Sequence, residues 1–89
     1  MKRQYLEVTF RRGKPIAAYL YLPRVAGAKA ARTTDEGNGL RADFDAAGNA
    51  IGIEITAPRV VDLAAINRLL TRLGAAPMPI DEWAPLRAA

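Results

Sequence analysis

The sequence predicts an α+β domain: an antiparallel sheet of four to five strands packed by one C-terminal helix, with a short terminal helix after it. Three observations predict it. Apolar residues alternate with period two in the first sixty residues. Gly-rich turn segments fall between those runs. The one run of helical spacing comes late, at residues 62–73, behind an aspartate and ahead of a glycine. With 89 residues the chain is one domain, 1–89. It divides into a sheet of hairpins (5–56), the helix (62–73) and a terminal extension (77–89).

Leu6, Val8 and Phe10 alternate with Tyr5, Glu7 and Thr9, the pattern of a half-buried strand. Arg12-Gly13 then reads as a two-residue hairpin loop, Gly13 accepting positive φ. The next strand runs from Pro15 to Leu22 and is apolar on both faces. A two-residue loop pairs Val8 with Ala17 and Leu6 with Tyr19, and one more residue in the loop reverses the faces. In both registers an apolar row is left on the second face. Strands of that kind are usually covered on both sides. One helix covers one side, so the other is expected to meet a second protein chain.

Residues 24–37 are the least decided, with an edge strand expected at Lys29–Thr34 because Thr33 and Thr34 favour extended backbone. Asp35 to Gly39 reads as a turn. Leu40, Ala42 and Phe44 then alternate with Arg41, Asp43 and Asp45, and Ile51, Ile53 and Ile55 with Gly52, Glu54 and Thr56. An Ala47-Gly48 loop sets Phe44 opposite Ile51, Ala42 opposite Ile53 and Leu40 opposite Ile55, all on one face.

Asp62 is a good N-cap, and Val61 and Ile66 have the spacing of a hydrophobic staple. Leu63, Ile66, Leu69, Leu70 and Leu73 make the apolar stripe, with Asn67, Arg68, Thr71 and Arg72 facing water. Gly74 is a C′ glycine. An extended, proline-stiffened linker follows. Asp81 is then placed to cap a short helix, Glu82 to Leu86, with Trp83 packed inward.

Composition excludes more than it asserts. Histidine, cysteine and serine are all absent. No Ser-His-Asp or Cys-His arrangement can be built, and no disulfide or thiolate metal site. Neither a phosphate-cradling GxxxxGK[ST] nor a GxGxxG is present. The longest apolar run, Ile16–Leu22, is a strand and not a span of the roughly 20 residues a membrane needs. No apolar run follows the charged start, so no export signal, a cytoplasmic location and no membrane partner are expected.

Net charge is +4, and the imbalance lies early: residues 1–44 hold nine Lys or Arg against four acids. Arg11, Arg12 and Lys14 form the densest basic patch. They suit a charged tip that keeps the hairpin soluble, or phosphate contacts from a hairpin tip, with the tyrosines as stacking surfaces. Tyr5, Tyr19 and Tyr21 suit a protein interface, where tyrosine is enriched, or cross-strand packing. Asp43, Asp45 and Glu54 are the one carboxylate cluster. They suit acid–base work or oxygen ligation of a hard cation, or the polar half of two strands with Asp45 fixing the turn.

The stretches Ala18-Tyr19-Leu20-Tyr21-Leu22 and Asp43-Phe44-Asp45-Ala46-Ala47-Gly48-Asn49-Ala50-Ile51-Gly52-Ile53-Glu54-Ile55 resemble a small bacterial family, domain of unknown function 2283. Its pattern is a tyrosine-bearing strand, a D-[aromatic]-D-x-x-G hairpin and a G-I-E-I strand. The likeness covers roughly residues 5–56. It departs at the first turn, where the family is acidic and Arg11, Arg12 and Lys14 stand here. The resemblance implies a compact sheet-rich fold, no assigned activity, and an antitoxin-like role as partner of a small toxin. The sequence thus leads to a non-enzymatic protein-interaction module without cofactor or metal, as a homodimer or with a partner protein. The alternative is a small nucleic-acid-binding protein using Arg11, Arg12 and Lys14.

Overall fold

The computed structural model describes residues 3–24 and 27–87. Five antiparallel strands form one sheet: β1 (Tyr5–Arg11), β2 (Lys14–Tyr21), β3 (Arg32–Gly37), β4 (Leu40–Phe44) and β5 (Ala50–Ile55), in spatial order β1-β2-β5-β4-β3. Helix α1 (Leu63–Arg72) and a terminal 3-10 helix (Ile80–Arg87) complete the α+β fold. No helix among the described residues is long and apolar enough to cross a membrane.

Two hairpins close through residues that tolerate positive φ. Arg12 (53°) and Gly13 (78°) make the first turn, and Asn38 (57°) and Gly39 (73°) the second, each the paired left-handed conformation that matches strand twist. The second turn is tighter than its composition suggests. Asp35, Glu36 and Gly37 therefore belong to β3, which lies three residues further along than the expected edge strand. Between β4 and β5 the expected Ala47-Gly48 loop is longer. The Asp45 carboxylate accepts the amides of Ala47 (3.0 Å) and Asn49 (2.9 Å), holding a loop that ends on Gly48 at φ 90°. Leu40 does oppose Ile55 and Ala42 does oppose Ile53. Phe44, however, opposes Ala50 instead of Ile51.

The first hairpin keeps its two-residue loop but not the register that loop implies. A bulge between Thr9 and Phe10 leaves Ile16 unpaired, so Val8 opposes Ala18 and Leu6 opposes Leu20. Proline has no N–H to give the ladder, and the irregularity sits beside Pro15. Its effect is to turn Ala18, Leu20 and Leu22 to the same face as Leu6 and Val8.

That face carries the core. Leu20, Ile53, Ile55 and Leu40 are buried with Ala65, Ile66, Leu69 and Leu70 of α1, and with Met78, Trp83 and Leu86. The helix starts as its sequence dictates: Asp62 caps it, accepting the Ala64 amide at 2.9 Å. Val61 and Ile66, the staple pair, are both buried in the core. At the other end Gly74 (φ 79°) donates to Thr71 O, and Ala75 to Leu70 O at 2.8 Å, a Schellman closure. Asn67, expected in water, is half-buried, and its side-chain oxygen accepts the Met78 amide at 3.1 Å, fastening the linker to the helix. The terminal helix is 3-10 and begins at Ile80; Pro85 inside it gives no N–H to an α-helical ladder.

Candidate functional site

Among the described residues no helix lies over the opposite face of the sheet, and the tyrosines lie there. Its strands contribute Tyr5, Glu7 and Thr9 from β1, Tyr19 and Tyr21 from β2, Gly52 and Glu54 from β5, Arg41 and Asp43 from β4, and Thr33 from β3, placed by the observed registers.

Gly52 organises this face. It opposes Tyr21 on one side and Asp43 on the other. The Tyr19 ring lies diagonally across it, so close that a Cβ at residue 52 would stand 2.0 Å from the Tyr19 hydroxyl oxygen. Over that glycine the hydroxyl crosses β5 and donates to Asp43 Oδ2 at 2.7 Å. The Thr33 hydroxyl donates to Asp43 Oδ1 at 2.5 Å from the far side. One carboxylate thus ties β2, β4 and β3 together. Burial first, and then the bond to Asp43, push the Tyr19 hydroxyl well above the usual tyrosine range. Tyr19 is therefore held as a neutral donor, not as a base.

Tyr21 and Tyr5 stack at 4.6 Å between centroids, and Tyr19 meets Tyr21 edge-on at 4.8 Å. The Tyr21 hydroxyl donates to Glu7 at 3.2 Å, which raises its pKa. Arg24 lies over the Tyr21 ring at 5.2 Å and donates to Ile51 O. The three tyrosines form one aromatic row from the β1 edge inward, with Tyr19 and Tyr21 half-buried and Tyr5 exposed.

The second face of β2 is accordingly not bare apolar surface. Ala17, Tyr19 and Tyr21 are half-buried by the molecule's own side chains. What stays open is nearer the edge: Tyr5, Phe10 and Ile16 are exposed. Arg11, Arg12 and Lys14 are exposed together at the first turn, away from Tyr19 and beside the bulge. Base stacking on the tyrosine row faces two obstacles. Tyr5 and Tyr21 already stack on each other, and Glu7, Asp43 and Glu54 put negative charge on the same face.

The carboxylates do not converge. Asp43 is engaged by Tyr19 and Thr33, Asp45 by its own loop, and Glu54 opposes Arg41. Bonds from the Asn49 and Ala47 amides hold Asp45 below its ordinary pKa, as a turn clamp. Among the described residues no three acids are grouped as metal ligands. An open groove of about 1050 Å³ lies past the C-terminus of α1, floored by Leu22, Phe44, Ile51 and Leu73. Of the arginines at its rim, Arg72 is paired with Glu36 at 2.7 Å.

No family model matches the chain, and neither does any curated protein or solved structure. The geometry gives the residues of the quoted motifs a structural meaning of their own. Tyr19, Gly52 and Asp43 form one constellation, and Asp45 and Gly48 the loop that presents it. Sequence reading named each of these residues but not their meeting. The one signal available was a glycine between isoleucines in an otherwise well-formed strand, which marks close approach of another group.

Proposed function

We propose that the chain is a non-enzymatic protein-interaction module, self-associating or antitoxin-like, that presents the β1 side of its open sheet face to the partner. The observation that carries this is the stacked Tyr5–Tyr21 pair, standing on a face that no helix among the described residues covers and reaching onto an edge strand with no buried residue. Rigid aromatic surface of this kind gives contact area at small entropic cost, and tyrosine is enriched at interfaces for that reason. The bonded state of Asp43 and Asp45 and the neutral Tyr19 support a structural part for the residues that chemistry would need.

The test compares the full chain with a Tyr5→Ala/Tyr21→Ala variant. A second copy, or a protein from the native host, held by the wild type and released by the variant is the expected result. A chain that stays monomeric and retains nothing the variant fails to retain overturns the reading.

A second reading has one observation in its favour: Arg11, Arg12 and Lys14 are exposed at a single turn. Nucleic acid held there would lose affinity with salt, with a logarithmic slope of about −3 for three phosphate contacts. Absence of any shift of mixed DNA or RNA at low salt removes it.

A further inference from the structure

The two edges of the sheet are finished differently. β3 has its side chains turned to internal work: Thr33 donates to Asp43, Thr34 to Glu36, and Glu36 pairs with Arg72 of α1. β1 is not closed off in this way. Neither edge strand has a buried residue, but what β1 exposes is apolar: Leu6 and Val8 pack on the core yet stay half-exposed, and Phe10 is 45% and Tyr5 43% exposed. An edge of seven residues with an apolar row and no proline is a template for strand addition.

The sequence of that edge says what fits it. Glu7-Val8-Thr9-Phe10-Arg11 is self-complementary about Thr9 when read antiparallel. We propose that the chain dimerises by pairing β1 with β1 of a second copy in that register, making one continuous ten-stranded sheet. On the open face Glu7 then stands opposite Arg11 of the second copy, twice by symmetry, with Thr9 opposite Thr9. On the core face Val8 stands opposite Phe10, also twice. Opposite charges, paired threonines and an aromatic against a β-branched residue are three favourable kinds of cross-strand pair. Pairing residues an even number apart also matches outward-pointing backbone groups with outward-pointing ones. The bulge does not disturb this, because its extra residue, Ile16, lies on β2. A two-fold axis of this kind closes the assembly at two copies, since each has one such edge. The contact is small, so micromolar association is expected.

This inference rests on the interaction-module reading and narrows it to a partner and a surface. Sedimentation or light scattering of the full chain from about 1 to about 300 μM follows the equilibrium. The series is wild type, Glu7→Arg, Arg11→Glu and the double swap Glu7→Arg/Arg11→Glu. Each single change puts two like-charge pairs in the interface and should weaken dimerisation roughly tenfold or more. The double swap restores opposite charges and should regain it. Hydrogen exchange of the wild type supplies a readout independent of folding in the variants: outward β1 amides from Glu7 to Arg11 should gain protection as concentration rises. A dimer indifferent to the swaps, with no such protection, removes β1 as the surface while leaving the interaction-module reading in place. A wild type monomeric across the range overturns the dimer itself. In that case a host protein lost by the Tyr5→Ala/Tyr21→Ala variant still upholds the broader reading.

Discussion

Replacing Gly52 with alanine tests the organisation of the open face at its narrowest point. The new Cβ would lie 2.0 Å from the Tyr19 hydroxyl oxygen and 2.3 Å and 2.4 Å from two of its ring carbons, so the ring must swing away. The backbone at residue 52 is ordinary strand, so the cost comes from Tyr19. Its hydroxyl gives up Asp43, a hydrogen bond to a charged acceptor of about 1.5–3 kcal/mol. The ring gives up its cover over β5. Set against this, alanine in a strand gains about 0.5–1 kcal/mol over glycine. The net expectation is a loss of about 2 kcal/mol, or a melting temperature lower by roughly 10 °C in a domain of this size. Urea denaturation followed by Trp83 fluorescence measures it, in wild type and in a Tyr19→Ala background. With the ring gone, Gly52→Ala should be neutral or slightly stabilising, which makes the coupling between the two positions about 2 kcal/mol. Equal costs in the two backgrounds would refute the role assigned to the glycine.

Three further outcomes follow from the packing. Trp83 is 2% exposed beneath the sheet, and Trp83→Ala should cost about 3–5 kcal/mol, read by circular dichroism in urea. Asp62→Ala removes the cap from α1 and should cost about 1 kcal/mol in the same assay. Acid should destabilise the fold through Glu36, whose carboxyl the Thr34 hydroxyl and then Arg72 hold below its ordinary pKa. A depressed folded value means the ionised form favours folding. That contribution is complete above the unfolded value of about 4 and fades as pH falls through the lower folded one. Stability should therefore drop between about pH 5 and about pH 3, and Glu36→Gln should lessen the drop.

Helix α1 was legible to the residue because its signals are local. Asp62, Val61, Ile66 and Gly74 each act within one turn of the helix end they define. β1, β4 and β5 were legible as strands from their period-two alternation, β2 from its apolar run, and β3 only from the extended preference of Thr33 and Thr34, three residues out of place. Their registers were not, wherever the ladder slips. Period-two alternation carries no mark of the extra residue at Ile16, or of the loop that Asp45 lengthens by binding the Ala47 and Asn49 amides. Each slip moved a pairing by one residue and, in the first hairpin, exchanged the faces. The Tyr19–Gly52–Asp43 constellation runs diagonally over three strands, two of them far apart in the chain. No spacing rule within a segment can see it.

The bulge also changes where a partner is needed. Without it, Ala17, Tyr19 and Tyr21 would share the core face with Leu6 and Val8, and Ile16, Ala18, Leu20 and Leu22 would stand in need of cover as an unbroken apolar row away from the core. With it, the side away from the core is the tyrosine side. There Gly52 lets one ring lie flat across the sheet, and Asp43 and Glu7 accept the Tyr19 and Tyr21 hydroxyls. The second face of β2 is thus largely covered from within the chain. The unmet burial moves outward, to Phe10 and Tyr5 on the edge strand and to Ile16 in the bulge itself. The edge that carries this exposed apolar surface is also the one whose charges are ordered to meet their own reverse. A sheet whose β3 edge is polar, engaged by ion pair and threonine, and whose β1 edge is apolar and self-complementary offers its apolar docking position at β1.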